Sequence, residues 1–159
     1  MLSRMTDTSF AAFFEAAVEG YAKDNVASGR WLPDDALQLA REESLRLLPQ
    51  GLATPDHHLF DIRDDADGRT VGHLWAARLE RGQRKVAYIY QLQVLTEFRR
   101  QGRARAALLE FERIAGELGF DSVALNVFGS NTAAQALYHS LGFVTTNLNM
   151  QKHLPPRGA

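Results

Sequence analysis

One short run concentrates the residue types that hold phosphate. It reads Arg99-Arg100-Gln101-Gly102-Arg103-Ala104, and Arg105, Ala106, Ala107, Leu108 and Leu109 follow. Gly102 and Ala104 are small and one spacer apart, so a ligand can approach the backbone there closely. The run opens a segment of helical period. The first N–H groups of a helix have no internal partners and sit at the positive end of its dipole. Such an end is a natural cradle for a pyrophosphate. Arg99, Arg100, Arg103 and Arg105 add donors suited to phosphate oxygens. The bland reading of the same residues is a glycine turn before an amphipathic helix with a solvated basic face. The run is not a P-loop, which needs Gly-Lys-Ser/Thr, and not the dinucleotide fingerprint, which needs three spaced glycines.

The chain around this run has 159 residues and a mass of 17.7 kDa, enough for one domain and a self-sufficient core. Eighteen Lys and Arg face nineteen Asp and Glu, a formal charge of −1, which argues against a general nucleic-acid binder. A binder built on Arg99 to Arg105 would also want interleaved aromatics, and the run has none. The chain has no cysteine, which excludes disulfides, cysteine-based zinc sites and a thiolate nucleophile. The longest apolar runs are five residues, too short for a helix that crosses a membrane. Residues 1–10 lack the apolar stretch of a secretory signal, so a cytoplasmic location is the expectation. No nucleic-acid or membrane partner is expected.

Helical period predicts a first helix over 9–23, from Phe10, Phe13, Phe14, Ala17, Val18 and Tyr21, with Asp7, Thr8 and Ser9 as candidate caps. Pro33, followed by Asp34 and Asp35, begins a second helix that ends at Pro49-Gln50-Gly51. Strand signals then take over: 58–62, a turn at Asp64 to Gly68, 70–78, a turn at Gly82, and the long strand 86–95. These read as consecutive antiparallel strands. A third helix follows Arg103 and stops at Gly119. Then come a strand over 122–127, a helix over 131–141 capped by Asn131, and a last strand over 143–152. Pro155-Pro156 would close the fold, with 157–159 as a frayed tail. The class is α/β, with α+β character and a mixed sheet.

Arg99-x-x-Gly102-x-Ala104 resembles the acetyl-CoA-binding motif of the GNAT N-acetyltransferase superfamily, Arg/Gln-x-x-Gly-x-Gly/Ala, and Val94 matches the apolar residue ending the preceding strand. Leu125-Asn126-Val127, Asn131-x-Ala133, Ala136-Leu137-Tyr138 and Leu141-Gly142-Phe143 resemble the family's C-terminal motif, in the same order and spacing. The matches span about half the chain, 71–152. Thr96 and Ala104 stand where many members carry proline and glycine, and Arg103 where an apolar residue is commoner. Arg103 would contact a CoA phosphate or face solvent.

The resemblance implies a single GNAT-like domain over 1–159. Its sheet would be mostly antiparallel, splayed between the fourth and fifth strands and flanked by helices. The acetyl-CoA core would lie in 70–152, with N-terminal helices in 8–49 covering the acceptor. It implies that backbone groups of Gln101, Gly102, Arg103 and Ala104 hold the CoA pyrophosphate beside Arg99 and Arg100. The pantetheine arm would pair with Leu92, Gln93 and Val94. Asn131 would lie near the CoA, serve as a cap, or do both. Tyr138 matches the tyrosine that protonates the leaving thiolate; helical spacing alone reads it as core. Trp31, Gln91 and Asn126 are the candidates against the acceptor, and Tyr21, Trp75 and Tyr90 would line its pocket or pack in the core.

The base is open. Many members have a carboxylate on the fourth strand, where this chain has Gln91 and Gln93, and glutamine is no base at neutral pH. His73, Glu42, His57 and His58 remain, and spacing selects none of them. His57-His58 lacks the partners of a metal site, so no metal is expected. The expected activity is transfer of an acetyl group from acetyl-CoA to a primary amine of a small molecule or peptide by direct attack. The alternative, motivated by the missing carboxylate, is a non-catalytic acyl-CoA sensor or interaction module on the same fold. A homodimer is possible by analogy with the superfamily.

Overall fold

The aromatic and β-branched residues in the middle of the chain form the centre of a five-stranded sheet in the computed structural model, which describes residues 1–154. Its strands are β1 (Leu2–Arg4), β2 (His57–Arg63), β3 (Thr70–Arg81), β4 (Arg84–Val94) and β5 (Ser122–Leu125), side by side in chain order. Neighbours from β1 to β4 are antiparallel, and β5 runs parallel to β4. Among the described residues, the only parallel pair is therefore the one joined by a helix, as a parallel connection requires. The mixed, mostly antiparallel sheet is the one the sequence led us to expect. β1 was not foreseen, because three residues carry no period. Leu2 is nonetheless buried and pairs with Ile62.

The hairpin between β2 and β3 turns where its acidic residues suggested. An Asp64 side-chain oxygen accepts the Ala66 N–H at 2.9 Å, and Gly68 takes a left-handed φ of 71°. That local bond is why aspartate favours turns.

Helix α1 (Asp7–Ala27) starts earlier and runs further than its period suggested. Thr6, and none of Asp7, Thr8 or Ser9, is the cap. Its hydroxyl accepts the Ser9 N–H at 3.2 Å, and the Ser9 hydroxyl accepts the Thr6 N–H at 3.0 Å. This reciprocal box satisfies two donors that a helix start leaves orphaned. Helix α2 (Pro33–Leu47) begins at Pro33 as expected. Helices α3 (Arg103–Glu117) and α4 (Thr132–Ser140) complete the set.

Strand alternation sends side chains to two faces. Phe13 of α1 meets His73 and Trp75 edge-on on one face, with centroids 5.5 and 6.2 Å away. On the other, Phe60 meets Phe111 of α3 at 6.2 Å, and Leu74 and Leu108 are fully buried. Fully burying a side chain of this size contributes ~1.5–3 kcal/mol. Val18, Ala22, Ala36 and Ala40 tie α1 to α2.

Two compact units arise: Met1–Asn126, which contains the whole sheet, and a smaller one beginning at Val127. The strand expected over 143–152 does not form; residues 141–154 contain no strand. Strand propensity measures fit to a half-buried pleated surface next to a partner. Val144, Leu148 and Met150 are exposed instead, and Asn147 and Asn149 are poor strand formers. The closing role expected of Pro155 and Pro156, and the tail after them, lie outside the described residues.

Candidate functional site

β4 is split along its length. Val86 to Ile89 pair with Ser122 to Leu125 of β5, and the pairing stops there. On the β3 side, Trp75 faces Gln91 and Ala76 faces Ile89, so Tyr90 is the extra residue of a bulge. A bulge bends its strand and sharpens the twist. Gln91, Leu92, Gln93 and Val94 therefore continue with β3 alone, and their other edge has no β5 partner. This is the splay expected between the fourth and fifth strands.

Gly72, which the sequence reading passed over, fixes the free end of β4. A Cβ at Gly72 would lie 2.2 Å from the Gln93 carbonyl oxygen and 3.0 Å from the Val94 Cα. Only a residue without a side chain lets β3 and β4 approach this closely. The last rung is the Leu95 N–H on the Val71 carbonyl at 2.9 Å.

The chain then makes a short 3-10 helix, Thr96–Phe98, and turns into α3. Arg100 and Gly102 both take left-handed conformations, with φ of 63° and 75°. For Arg100 this costs ~1–2 kcal/mol relative to an ordinary conformation. Arg99 is anchored by its Nε–H to the Val94 carbonyl at 2.9 Å, and Gln101 donates to the Glu97 carbonyl at 3.4 Å. Gly102 caps α3 without a side-chain acceptor, so the amides of Arg103 and Ala104 stay open among the described residues, at the positive end of the helix. The space beside Gly102 is empty, with nothing within 4 Å of where a Cβ would sit.

Arg103 departs from expectation. Its half-buried guanidinium is engaged within the chain. Nη2 holds Asp64 Oδ2 at 2.5 Å and ties α3 to the β2–β3 turn. Asp64 titrates below the usual range, first because it accepts the Ala66 amide and then because of Arg103. Arg103 Nε is buried without a partner among the described residues. Open amides and two exposed arginines, Arg99 and Arg100, fit a polyanion.

The second cluster is made of side chains on the α1 face of the sheet. Two cross-strand rows lie there: Leu59, Trp75 and Gln91, then Asp61, His73 and Gln93. Gln91 Nε2 donates to Gln93 Oε1 at 3.2 Å. Trp75 donates its indole N–H to His57 Nδ1 at 2.9 Å and stacks on Tyr90 with centroids 4.9 Å apart. His73 Nδ1 lies 3.2 Å from Oδ1 of the fully buried Asp61. Burial lowers the pKa of both His57 and His73; Asp61 works against that trend at His73.

Tyr21 and Trp31 meet edge-on at the α1–α2 corner, with Arg30 over the indole and the Tyr21 hydroxyl donating to Glu43 at 2.7 Å. Trp31 packs against the apolar seam between α1 and α2. Glu42 lies on α2, where it accepts from Gln38. Asn126, just past β5, is exposed.

In the smaller unit, Asn131 caps α4 by accepting the Ala134 N–H at 3.1 Å, the role expected of it as a cap. Tyr138 packs against Phe143 at 5.6 Å. Its hydroxyl has no hydrogen-bond partner among the described residues, and burial raises its pKa. No cluster of three metal-ligating side chains exists among the described residues, and no helix there is long and apolar enough to cross a membrane.

A splayed β4–β5 pair leading through a left-handed turn into an uncapped helix is the framework of one class of acyl-transferring proteins. Residues 19–143 match the model of the acetyltransferase (GNAT) family, and the chain belongs to that family. It is 33% identical to the uncharacterized N-acetyltransferase YdgE of Bacillus subtilis, over 96% of this chain and 97% of that one. It is 34% identical to the uncharacterized N-acetyltransferase YycN of the same organism, over 97% and 98%. The crystal structure of YycN superposes with a TM-score of 0.90, covering 98% of this chain and 99% of that chain.

Proposed function

We propose that this chain transfers an acetyl group from acetyl-CoA to a primary amine by direct attack, with donor and acceptor bound together. The observation that carries the reading is the free edge of β4 leading into the open amides of α3. An extended pantetheine arm needs a strand edge, and a pyrophosphate needs helix N–H groups. Both are offered within thirteen residues of chain, from Leu92 to Ala104.

Acetyl-CoA would supply an activated acetyl thioester. The backbone of Leu92, Gln93 and Val94 would hold its arm. Amides near Gln101, Gly102, Arg103 and Ala104, with the Arg99 and Arg100 side chains, would hold its phosphates. Gln91 and Gln93 would orient the acceptor, aided by Asn126, with α1 and α2 covering that side and Trp31 bracing the cover. Tyr138 would give a proton to the departing sulfur. A phenol held neutral by burial is a donor across the physiological range, and the Tyr138 hydroxyl has no described protein partner to give up first. Without cysteine, no acetylated thiol can form on the protein, which favours direct attack.

The test is thiol release from acetyl-CoA across a panel of small amines and peptides. Release that depends on an amine supports the reading. Tight binding of acetyl-CoA without release by any amine would favour an acyl-CoA sensor on the same fold.

A further inference from the structure

The chain's most buried charge has no part in the scheme above. Asp61, in the middle of β2, has no exposed surface at all. A carboxylate is retained in such a place only when its oxygens are occupied. Oδ2 accepts from Arg63 Nη2 at 3.2 Å, and Oδ1 faces His73 Nδ1 at 3.2 Å. Because the Asp61 carboxylate can only accept, His73 Nδ1 must carry the proton. In neutral imidazole this leaves Nε2 with a free lone pair. The ring is held from one side by Phe13 and keeps 12% of its side-chain surface exposed.

His73 is also in the right row. It is the register partner of Gln93, on the stretch of β4 that β5 leaves free. The other candidates for a base are differently arranged. His57 accepts the Trp75 indole proton at Nδ1, so its neutral ring carries hydrogen at Nε2 and has no lone pair to offer. His58 meets Phe120 edge-on, on the β2 face opposite His57. Glu42 accepts from Gln38 on α2. Gln91 and Gln93 bond each other.

We propose that His73 Nε2 takes the proton of the attacking amine, with Asp61 as the residue that positions the ring and fixes its tautomer. The assignment rests on the acetyltransferase reading. The acceptor ammonium loses one proton to solvent to become a neutral amine. As its nitrogen bonds to the thioester carbon, one of its two N–H groups becomes acidic and its proton passes to Nε2. The C–S bond breaks with its electron pair leaving on the CoA sulfur, which takes the Tyr138 proton; the phenolate regains one from solvent. His73 becomes imidazolium against Asp61 and later returns the proton to solvent. Around the ring stand Asp61 from β2, Phe13 from α1 and the neutral Gln93 from β4; Arg63 is the charge behind Asp61. Burial keeps the imidazole neutral at pH 7, in the accepting form.

Asp61→Asn separates this role from a purely structural one. Arg63 can only donate, so the amide oxygen must turn to it and the amide NH2 to His73. Nδ1 then becomes an acceptor, and Nε2 carries the proton. Nitrogen NMR of labelled histidine in the free protein should show His73 neutral at pH 7 with hydrogen on Nδ1, and hydrogen on Nε2 in Asp61→Asn. In amine-dependent thiol release, Asp61→Asn and His73→Gln should each lower kcat by about 10²–10⁴-fold, with acetyl-CoA affinity unchanged. His73→Gln should lose the acid limb of kcat that lies below pH 6.5 in the wild type. Imidazole added to His73→Ala should restore part of the rate. Wild-type kcat with an unmoved acid limb in a folded His73→Gln would overturn the assignment alone, as would hydrogen on Nε2 in the wild type. A wild-type protein that binds acetyl-CoA and releases no thiol with any amine would overturn the acetyltransferase reading and this assignment together.

Discussion

The turn after β4 and the α1 face of the sheet are built by different means. The turn, from Val94 to Ala106, is built from backbone: open amides, two left-handed residues and a strand edge. The α1 face is built from side chains brought from three strands: Asp61, His73, Trp75, Gln91 and Gln93. On the proposed reading, backbone donors would read a feature every acyl-CoA shares, its phosphates and amide arm. Side chains would read what differs among acceptors and adjust the protonation of one nitrogen. A superfamily can therefore keep the first region and change the second.

Apart from the Asp61 and His73 variants, damage to the turn should have the largest effect. Gly102→Glu places a carboxylate where the phosphates would lie, on a residue held at a φ of 75°. A clash of ~3 kcal/mol would weaken acetyl-CoA binding by roughly 100-fold, measured by calorimetry, while circular dichroism shows the fold retained. Full affinity would place the phosphates elsewhere.

Tyr138→Phe comes next, since it removes a proton donor and leaves the turn intact. We expect kcat to fall by about 10–100-fold with acetyl-CoA affinity unchanged. The folded phenol titrates higher than a free one, so its donor form persists as pH rises. The alkaline decline of wild-type kcat assigned to Tyr138 should therefore lie above pH 10, the ordinary phenol value. A decline well below it would remove Tyr138 from that role.

Gly72→Ala sharpens the comparison from the scaffold side. The added methyl meets the Gln93 carbonyl and forces β3 and β4 apart. Overpacking of this kind costs ~1–3 kcal/mol, read as a lower Tm, and should raise KM for both acetyl-CoA and the amine. A variant with wild-type Tm would show that the strands yield there.

The smallest effect belongs to Asp64, which joins the β2–β3 turn to α3. Its folded pKa is below its ordinary 3.8, so its stabilising contribution is present above that value and is lost as pH falls through the folded pKa. Asp64→Asn should flatten the acid-side decline of Tm and leave Tm at pH 7 slightly reduced. An unchanged acid limb would detach Asp64 from acid stability.

The same contrast explains what the sequence made legible. Arg99, Gly102 and Ala104 are neighbours in the chain, so their spacing alone exposes the turn. Helix starts at Pro33 and Asn131 were readable because a cap is a local event. The Asp61–His73 contact joins residues twelve apart on two strands, and only the β2–β3 register brings them together. The Arg103–Asp64 pair was hidden in the sequence because its members are 39 residues apart. The segment 143–152 has the apolar spacing of a strand but forms none, since a strand depends on a neighbour that its own residues do not specify. Gly72 carries no motif, and its necessity appears only when Gln93 stands against it.

The most direct test is calorimetric titration of the wild-type protein with acetyl-CoA, repeated with Gly102→Glu. Saturable binding to the wild type, lost in the variant, is the result expected if the turn after β4 holds the donor. No binding to well-folded wild-type protein, or equal binding to both, would contradict it.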